Sequence, residues 1–410
     1  MNTLPVMAWR NLGRNRRRTA LSGAAIAFAT ALLIFFQALQ LGSYDSMIEN
    51  TVRINSGHLQ IQHPEFREEG SIVLALEDPD KLLKIADNAP GVVAASPRIV
   101  TGMLVSKKDQ SFGAMLMGID AAREARVTTI KTLVKEGEYL DPADPQGVIV
   151  GKTLAGNLGA TIGDELILMG TSYDGSTAAE RVHVRGIFKT GLPELDRQSF
   201  YANLSAVQQW TWMEGRVHSI AILLDDNRSI NKARDAIAAQ LPTGEDAPVV
   251  LDWKQINPGI DQAIRLDKAF GQVMLFVLVM IVGFGIMNTF LMSALERTRE
   301  FGVMLAIGVR PRTCAWMLIL EGQLLFLVSF LTGTVVGTLV TLYFSRDGIT
   351  FPGSDAMYES YGMSQTIFPS LTGEVAYMTV GMVWVIVALV SAYPAWRITR
   401  LRPVQALRFV

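Results

Sequence analysis

Cysteine occurs once in the 410-residue chain, at Cys314, which excludes an internal disulfide and any cysteine-based zinc site. Histidine is nearly as scarce: His58, His63, His183 and His218 stand too far apart to suggest a metal motif. A basic excess is missing too, with 37 Lys and Arg against 38 Asp and Glu, and a nucleic-acid binder needs that excess to neutralise phosphate. No complete phosphate loop is present. The stretch Gly147-Val-Ile-Val-Gly151-Lys152-Thr153 has the residue types but is one residue short of the required spacing, so a strand turning into a helix is expected there. No Ser/His/Asp grouping stands out either, and the chain is not expected to hydrolyse anything itself. Charge of both signs is sparse at 18%, against 50% hydrophobic residues and a mean hydropathy of +0.27. That apolar excess is more than one soluble core needs.

What is present instead is four long apolar runs. Residues 19–44 carry no charge, nor do 269–295 and 375–396, and 313–345 carries only Glu321. A hydrocarbon core about 30 Å thick needs about 20 helical residues, so each run predicts a transmembrane helix. The first is too long for a signal-peptide core, and no Ala-x-Ala site follows it, so it is read as retained.

Arginine then sets the direction, because basic residues flanking spans stay on the cytoplasmic side. Arg10, Arg14, Arg16, Arg17 and Arg18 precede the first run, and Arg297, Arg299, Arg310 and Arg312 lie in the 296–312 segment. Arg397, Arg400, Arg402 and Arg408 lie in the 397–410 tail. These three segments are predicted to be cytoplasmic, both termini included. Residues 346–374 have one basic residue, Arg346, and four acids (Asp347, Asp355, Glu359, Glu374), which suits the opposite side. So does the long insertion, 45–267 between the first two runs.

The insertion is large enough for a folded domain, and its texture is α+β. Strands are expected at 58–62, 103–106, 114–118, 147–150, 165–169, 181–188 and 218–224. Helices are expected at 80–88, 152–158, 205–213 and 229–241. The fold class is therefore a membrane protein of four transmembrane helices with a large α+β extracytoplasmic domain between helices one and two.

The 296–312 segment suits a short helix at the membrane face. Glu296 with Arg299, or Glu300 with Arg297, can pair at helical spacing, and Phe301, Met304 and Leu305 would offer an apolar edge to a groove in a partner. An ordinary charged loop is the other reading. Glu321 lies nine residues past Arg312, about 13 Å along a helix. A carboxylate there must face protein or water, as a packing or lining residue, or snorkel to the inner boundary. Gly333 and Gly337 form a small-xxx-small face, and Gly283 and Gly285 thin the second run, both allowing close helix contact within or between subunits.

Several separated motifs resemble one family. They are Ala8-Trp9-Arg10-Asn11-Leu12, then Val148-Ile-Val-Gly151-Lys-Thr-Leu-Ala155 with Leu158-Gly159 and Gly163-Asp164, and Glu296-Arg297-Thr298-Arg299-Glu300-Phe301-Gly302-Val303 with Ala306-Ile307-Gly308. Tyr393-Pro394-Ala395-Trp396-Arg397 and Pro403-Val404-Gln405-Ala406-Leu407-Arg408 complete the set. In this order they resemble the ABC-transporter permeases of the superfamily that includes the macrolide exporter, the lipoprotein-releasing system and the FtsX-type proteins. The size and Ser56-Gly57-His58-Leu59-Gln60-Ile61-Gln62 are most similar to a lipoprotein-releasing permease, with no fused nucleotide-binding domain expected ahead of the first run.

The resemblance implies a non-catalytic subunit of the bacterial inner membrane with no cofactor of its own. ATP would be bound by a cytosolic ABC ATPase dimer docking on the 296–312 coupling segment, Gly302 included. It also implies a second permease copy or paralogue, contact with membrane lipid, and lipoprotein or other amphiphilic cargo. A periplasmic carrier or adaptor is a further implied partner, but Gly170–Glu180 lacks the proline-bearing hook that receives a carrier chaperone. Export of small amphiphiles or peptides, and FtsX-like regulation of a cell-wall hydrolase, are the alternative functions.

Overall fold

The computed structural model describes residues 4–14, 16–244, 246–350 and 366–400. They form two compact units, one drawn from residues up to Asp45, Ile264–Thr350 and from Thr366 on, the other from Ser46–Ala263. The motif at 403–408 and the residues Arg402, Arg408, Asp355 and Glu359 lie outside the described residues.

The first unit is helical. Its elements are α1 (Leu4–Arg14), α2 (Arg16–Thr51), α3 (Pro258–Glu296), α4 (Thr298–Ala306), α5 (Pro311–Asp347) and α6 (Gly373–Thr399). Three helical stretches among the described residues are long and apolar enough to cross a membrane: Thr19–Ser56, Pro258–Glu296 and Pro311–Asp347. A shorter apolar stretch, Gly381–Arg397, lies in α6. The chain is therefore a multi-pass membrane protein. Ile26, Leu33, Leu275, Ile286, Phe290, Phe326 and Val387 make the inner core of this unit. Outward, Leu21, Phe28, Phe270, Phe276, Ile281, Val335 and Leu389 are each more than half exposed, a surface that suits hydrocarbon and not water.

Small residues set how α2 and α5 meet. A Cβ on Gly23 would lie 2.9 Å from Ser329 Oγ, one on Gly333 would lie 2.8 Å from Thr30 Cβ and overlap the Ala27 carbonyl, and one on Gly337 would lie 2.8 Å from Ala31 Cα. Positions 23, 27 and 31 thus meet 329, 333 and 337 in the same order, so the two helices run parallel. Their arginine-bearing starts come to one end of the unit. The close contact that sequence left open between internal and inter-subunit is internal at Gly333 and Gly337. It is internal at Gly283 too, whose Cβ would lie 3.0 Å from Ile386 Cγ2 of α6. Gly285 differs: it is exposed and a Cβ there would meet nothing within 4 Å.

The second unit is α+β, as its alternating texture predicts. Its main sheet has ten strands: β1 (Leu59–Gln62), β2 (Val92–Lys107), β3 (Gln110–Ile119), β4 (Val134–Gly137), β5 (Gly147–Gly151), β6 (Glu165–Thr171), β7 (Thr177–Phe188), β8 (Ser199–Asn203), β9 (Ser219–Leu224) and β10 (Val249–Asp252). Their order is β10-β1-β9-β2-β3-β8-β5-β7-β4, and β6 pairs with both β2 and β7. Six strands, β2, β3, β8, β5, β7 and β6, therefore close a ring. β2 makes this possible because its first half pairs with β9 and its second half with β6. Closure removes sheet edges that would otherwise need covering. Met117, Ile119, Ile149, Phe188 and Tyr201 form a buried cluster of this unit.

The segment 170–180, expected as a loop, is mostly ladder. β6 and β7 pair as far as Thr171 with Thr177, which leaves only Ser172–Ser176 as the turn.

Candidate functional site

The 296–312 segment folds as predicted into a short helix, α4, between the ends of α3 and α5. Gly308 (φ 95°) reverses the chain after α4, and Pro311 opens α5, where its missing N–H costs nothing. At the start of α4 sits Arg297. Its Nη1 donates to Glu321 Oε2 at 2.7 Å, its Nε donates to Glu300 Oε2 at 3.2 Å, and its guanidinium lies 5.5 Å from the Phe301 ring centre. The side chains of Arg297 and Glu321 are only 12% and 10% exposed. Glu321 thus has its partner inside the chain, at the foot of α5, and its contact joins α5 to the α3–α4 corner.

The apolar edge of α4 is turned the other way from the sequence expectation. Phe301 is fully buried among Ala294, Cys314, Met317, Leu318 and Ala395, with Met304 and Leu305 packed at the rim of that cluster. Thr298 and Gly302 are buried on the same side. The reason is periodicity: 298, 301, 302 and 305 form one stripe of the helix, and an aromatic ring gains about 1.5–3 kcal/mol by burying against its own helices. The opposite stripe, Arg299, Val303, Ala306, Ile307 and Arg310, is exposed, with Ile307 75% exposed. Phe301 is therefore a wedge inside the unit, and Val303 and Ile307 are the outward residues. Spacing by four from Arg299 carried that signal, which size alone obscured.

Ala395 of α6 sits in the Phe301 cluster. The end of α6 carrying Arg397 and Arg400 therefore lies beside α4 and the start of α5. The described parts of all three arginine-bearing segments share one end of the helical unit.

In the second unit the glycine-rich stretch at 147–164 is a structural brace. Gly151 lies so close to the Asp196 backbone that a Cβ would overlap its carbonyl. The helix Lys152–Leu158 ends on Gly159 (φ 58°), and Gly163 (φ 84°) makes the next turn. Lys107 Nζ donates to Asp164 Oδ2 and to the Gly159 carbonyl, each at 2.6 Å, and Thr161 donates to Asp164 through N and Oγ1. Those donors hold the Asp164 carboxyl well below the usual carboxylate range. Lys152, the residue a phosphate loop would aim at its ligand, is half exposed and lies 3.8 Å from Glu136.

At the entrance to this unit the chain takes a π-helical turn, Val52–Ser56, a form often seen where a helix is interrupted for function. Its carbonyls are taken by the domain: Arg53 O accepts from Thr129 N at 2.8 Å and Asn55 O from Arg98. Arg98 in turn donates to Glu124 at 2.6 Å, with both side chains buried. Sequence reading singled out none of these groups, since a buried pair 26 positions apart leaves no local pattern. No group of three or more metal-ligating side chains occurs among the described residues.

A bundle with an α+β domain inserted after its first long helix, and a short helix bracing the ends of two others, defines a class of membrane permease. The profile of the MacB-like periplasmic core domain matches residues 19–240, and that of the FtsX-like permease C-terminal domain matches 272–403. The chain belongs to this family, the ABC-transporter permeases of the LolC, MacB and FtsX type. It is similar to the lipoprotein-releasing system transmembrane protein LolC of Xylella fastidiosa, 24% identical over 350 residues, 82% of either chain. It is also similar to the macrolide export ATP-binding/permease protein MacB of Rhodopirellula baltica, 23% identical over 444 residues, covering 98% of this chain and 62% of that one. The periplasmic region of MacB from Actinobacillus actinomycetemcomitans matches at 15% identity with a TM-score of 0.37, over 52% of this chain and 94% of that one.

Proposed function

We propose that the chain is the permease subunit through which a separate cytosolic ATPase dimer drives its periplasmic domain to extract lipoproteins, or other lipid-anchored cargo, from the bacterial inner membrane. The observation that carries this reading is the match to a lipoprotein-releasing permease along 82% of both chains. A fourth crossing by α6, with both termini cytoplasmic, is supported by the gathering of the arginine-bearing segments at one end of the helical unit. A second permease copy or paralogue completes the assembly, and ATP stays on the partner.

The geometry suggests how force would travel. The ATPase would bear on Arg299, Val303 and Ile307, while the opposite stripe of α4 is locked to the unit by Phe301. Arg297 ties α4 to α5 through Glu321, so a push on α4 moves α5 with it. α2 is keyed to α5 by the small-residue stripe and follows. α2 and α3 continue outward past the apolar runs, and they would pass the motion to the periplasmic domain and to cargo in the outer leaflet.

The test is ATP-driven release of a lipid-anchored protein from vesicles carrying the full complex. Replacing Ile307 with Asp should leave assembly intact and cut release at least about tenfold, a loss of roughly 1.4 kcal/mol of coupling. Undiminished release with that substitution would remove α4 from the force path, and release failing in every active preparation would leave small-amphiphile export as the better reading.

A further inference from the structure

We propose that the exposed face of α1 is a docking surface for anionic lipid headgroups of the leaflet on the arginine-bearing side. This rests on the orientation proposed above, and concerns residues that the coupling role leaves unused. α1 holds itself to the bundle through contact with α5, with Ala8 fully buried. Away from that contact Val6, Met7 and Trp9 are 53%, 47% and 58% exposed, and Arg10 is exposed among them. Arg16 and Arg17, at the start of α2, are exposed too.

The mixture matters more than either part. An indole beside guanidinium groups is the composition that sits at a headgroup boundary, with the ring in the glycerol region and the charge in the phosphate layer. Trp316, near the start of α5, and Trp396, near the end of α6, are also more than half exposed at this end of the unit. The Arg400 guanidinium lies 4.3 Å from the Trp396 ring centre. Exposed indoles on α5 and α6 mark this end of the unit as a membrane interface, and α1 leads into the start of α2, which lies at the same end.

Charge complementarity decides the occupant. No Asp or Glu precedes Asp45, so α1 and the start of α2 carry positive charge alone. A protein partner is met by α4 in the function proposed above. A lipid surface fits better, because α1 leads after one residue into a membrane-crossing helix, and a cytoplasmic leaflet carries negative charge. Each arginine near such a surface contributes about a fivefold preference for anionic over zwitterionic lipid.

The experiment is native mass spectrometry of the full-length chain in its complex, released from nanodiscs containing equal amounts of phosphatidylglycerol and phosphatidylcholine. The parent should retain phosphatidylglycerol preferentially. Changing Arg10, Arg16 and Arg17 to Gln together should lower that preference at least about tenfold, and Arg10→Gln alone by about fivefold. Arg228→Gln, in the periplasmic domain, should change nothing. An unaltered preference in either α1 variant would overturn the proposal. So would loss of the ATPase from the triple variant with lipid retention unchanged, since α1 would then face protein. Labelling of Gly13→Cys by an impermeant maleimide in intact cells would overturn the orientation itself, a failure distinct from that of the lipid contact.

Discussion

Arg297 joins the acid of its own first turn, which helical spacing predicts, to a buried aromatic ring and to an acid 24 residues on, which sequence places far away. A carboxylate at position 321 is tolerable in an apolar helix because this guanidinium meets it. Removing Arg297 leaves the Glu321 carboxylate shielded from water without its partner, which costs about 3–5 kcal/mol, whereas removing Glu321 leaves Arg297 still paired with Glu300, and removing both is far milder than losing the arginine alone. Thermal unfolding of the chain in detergent should therefore show Arg297→Met strongly destabilised, Glu321→Leu less so, and the double variant recovering most of the loss that Arg297→Met causes. Additive losses would mean that the pair is not coupled. His218 offers a second test at this scale. It is buried, accepts from Val100 N at 3.0 Å and faces the Ile72 carbonyl at 3.0 Å, stacked on Phe66 at 4.6 Å. Burial pushes its pKa down to about 4 from 6.5. The unfolded chain therefore takes up the proton first as pH falls, so stability is lost between pH 6.5 and 4 and levels off below, by about 3 kcal/mol from this residue. Acid titration of unfolding should show that slope, and His218→Asn should be less stable at neutral pH but flatter; an unchanged slope would clear His218 of the effect.

Elements differ in how plainly the chain announces them. The apolar runs at 19–44, 269–295, 313–345 and 375–396 were legible because nothing but a long helix uses so many uncharged residues in succession, and all lie within helices here. The helix Lys152–Leu158 was legible from its glycine borders. β4, β8 and β10 were not, since each becomes a strand through its partners alone: β8 lies between β3 and β5. The orientation of α4 was half legible, because its two stripes could be counted but not assigned until α5 and α6 stood beside one of them. The glycines show the same limit: four looked alike in sequence, yet Gly333, Gly337 and Gly283 press against neighbouring helices and Gly285 does not. That contrast is testable. Gly333→Leu must force α2 from α5 and should cost about 1–3 kcal/mol or more as overpacking, read as a lower unfolding midpoint of the purified chain. Gly285→Ala should be neutral or slightly stabilising by helix propensity. Equal damage from both would show that the α2–α5 register is not what the small residues protect.

At the scale of the whole molecule, the question is how a membrane bundle can carry so large a domain between two of its helices. The answer lies in where that domain begins and ends. β1 and β10 are antiparallel neighbours, with Leu59 opposite Asp252, and Trp253 N donates to the His58 carbonyl at 3.0 Å. The chain thus enters and leaves through adjacent strands, an arrangement that lets a domain be inserted without disturbing its host. The ring of six strands is complete within the domain, and so is the buried Arg98–Glu124 pair. A fragment from Gly57 to Asn257 should accordingly be soluble and unfold in one cooperative step, keeping the His218 acid slope unchanged from that of the full chain. The entrance should behave differently. The Arg53 and Asn55 carbonyls are lost with the π-helical turn, so Thr129 N and Arg98 lose acceptors that the full chain supplies. Hydrogen exchange on the fragment should then show faster exchange at Thr129 while the ring strands stay protected. Loss of protection throughout would mean that the helices hold the domain together, and the self-sufficiency of the domain would fail.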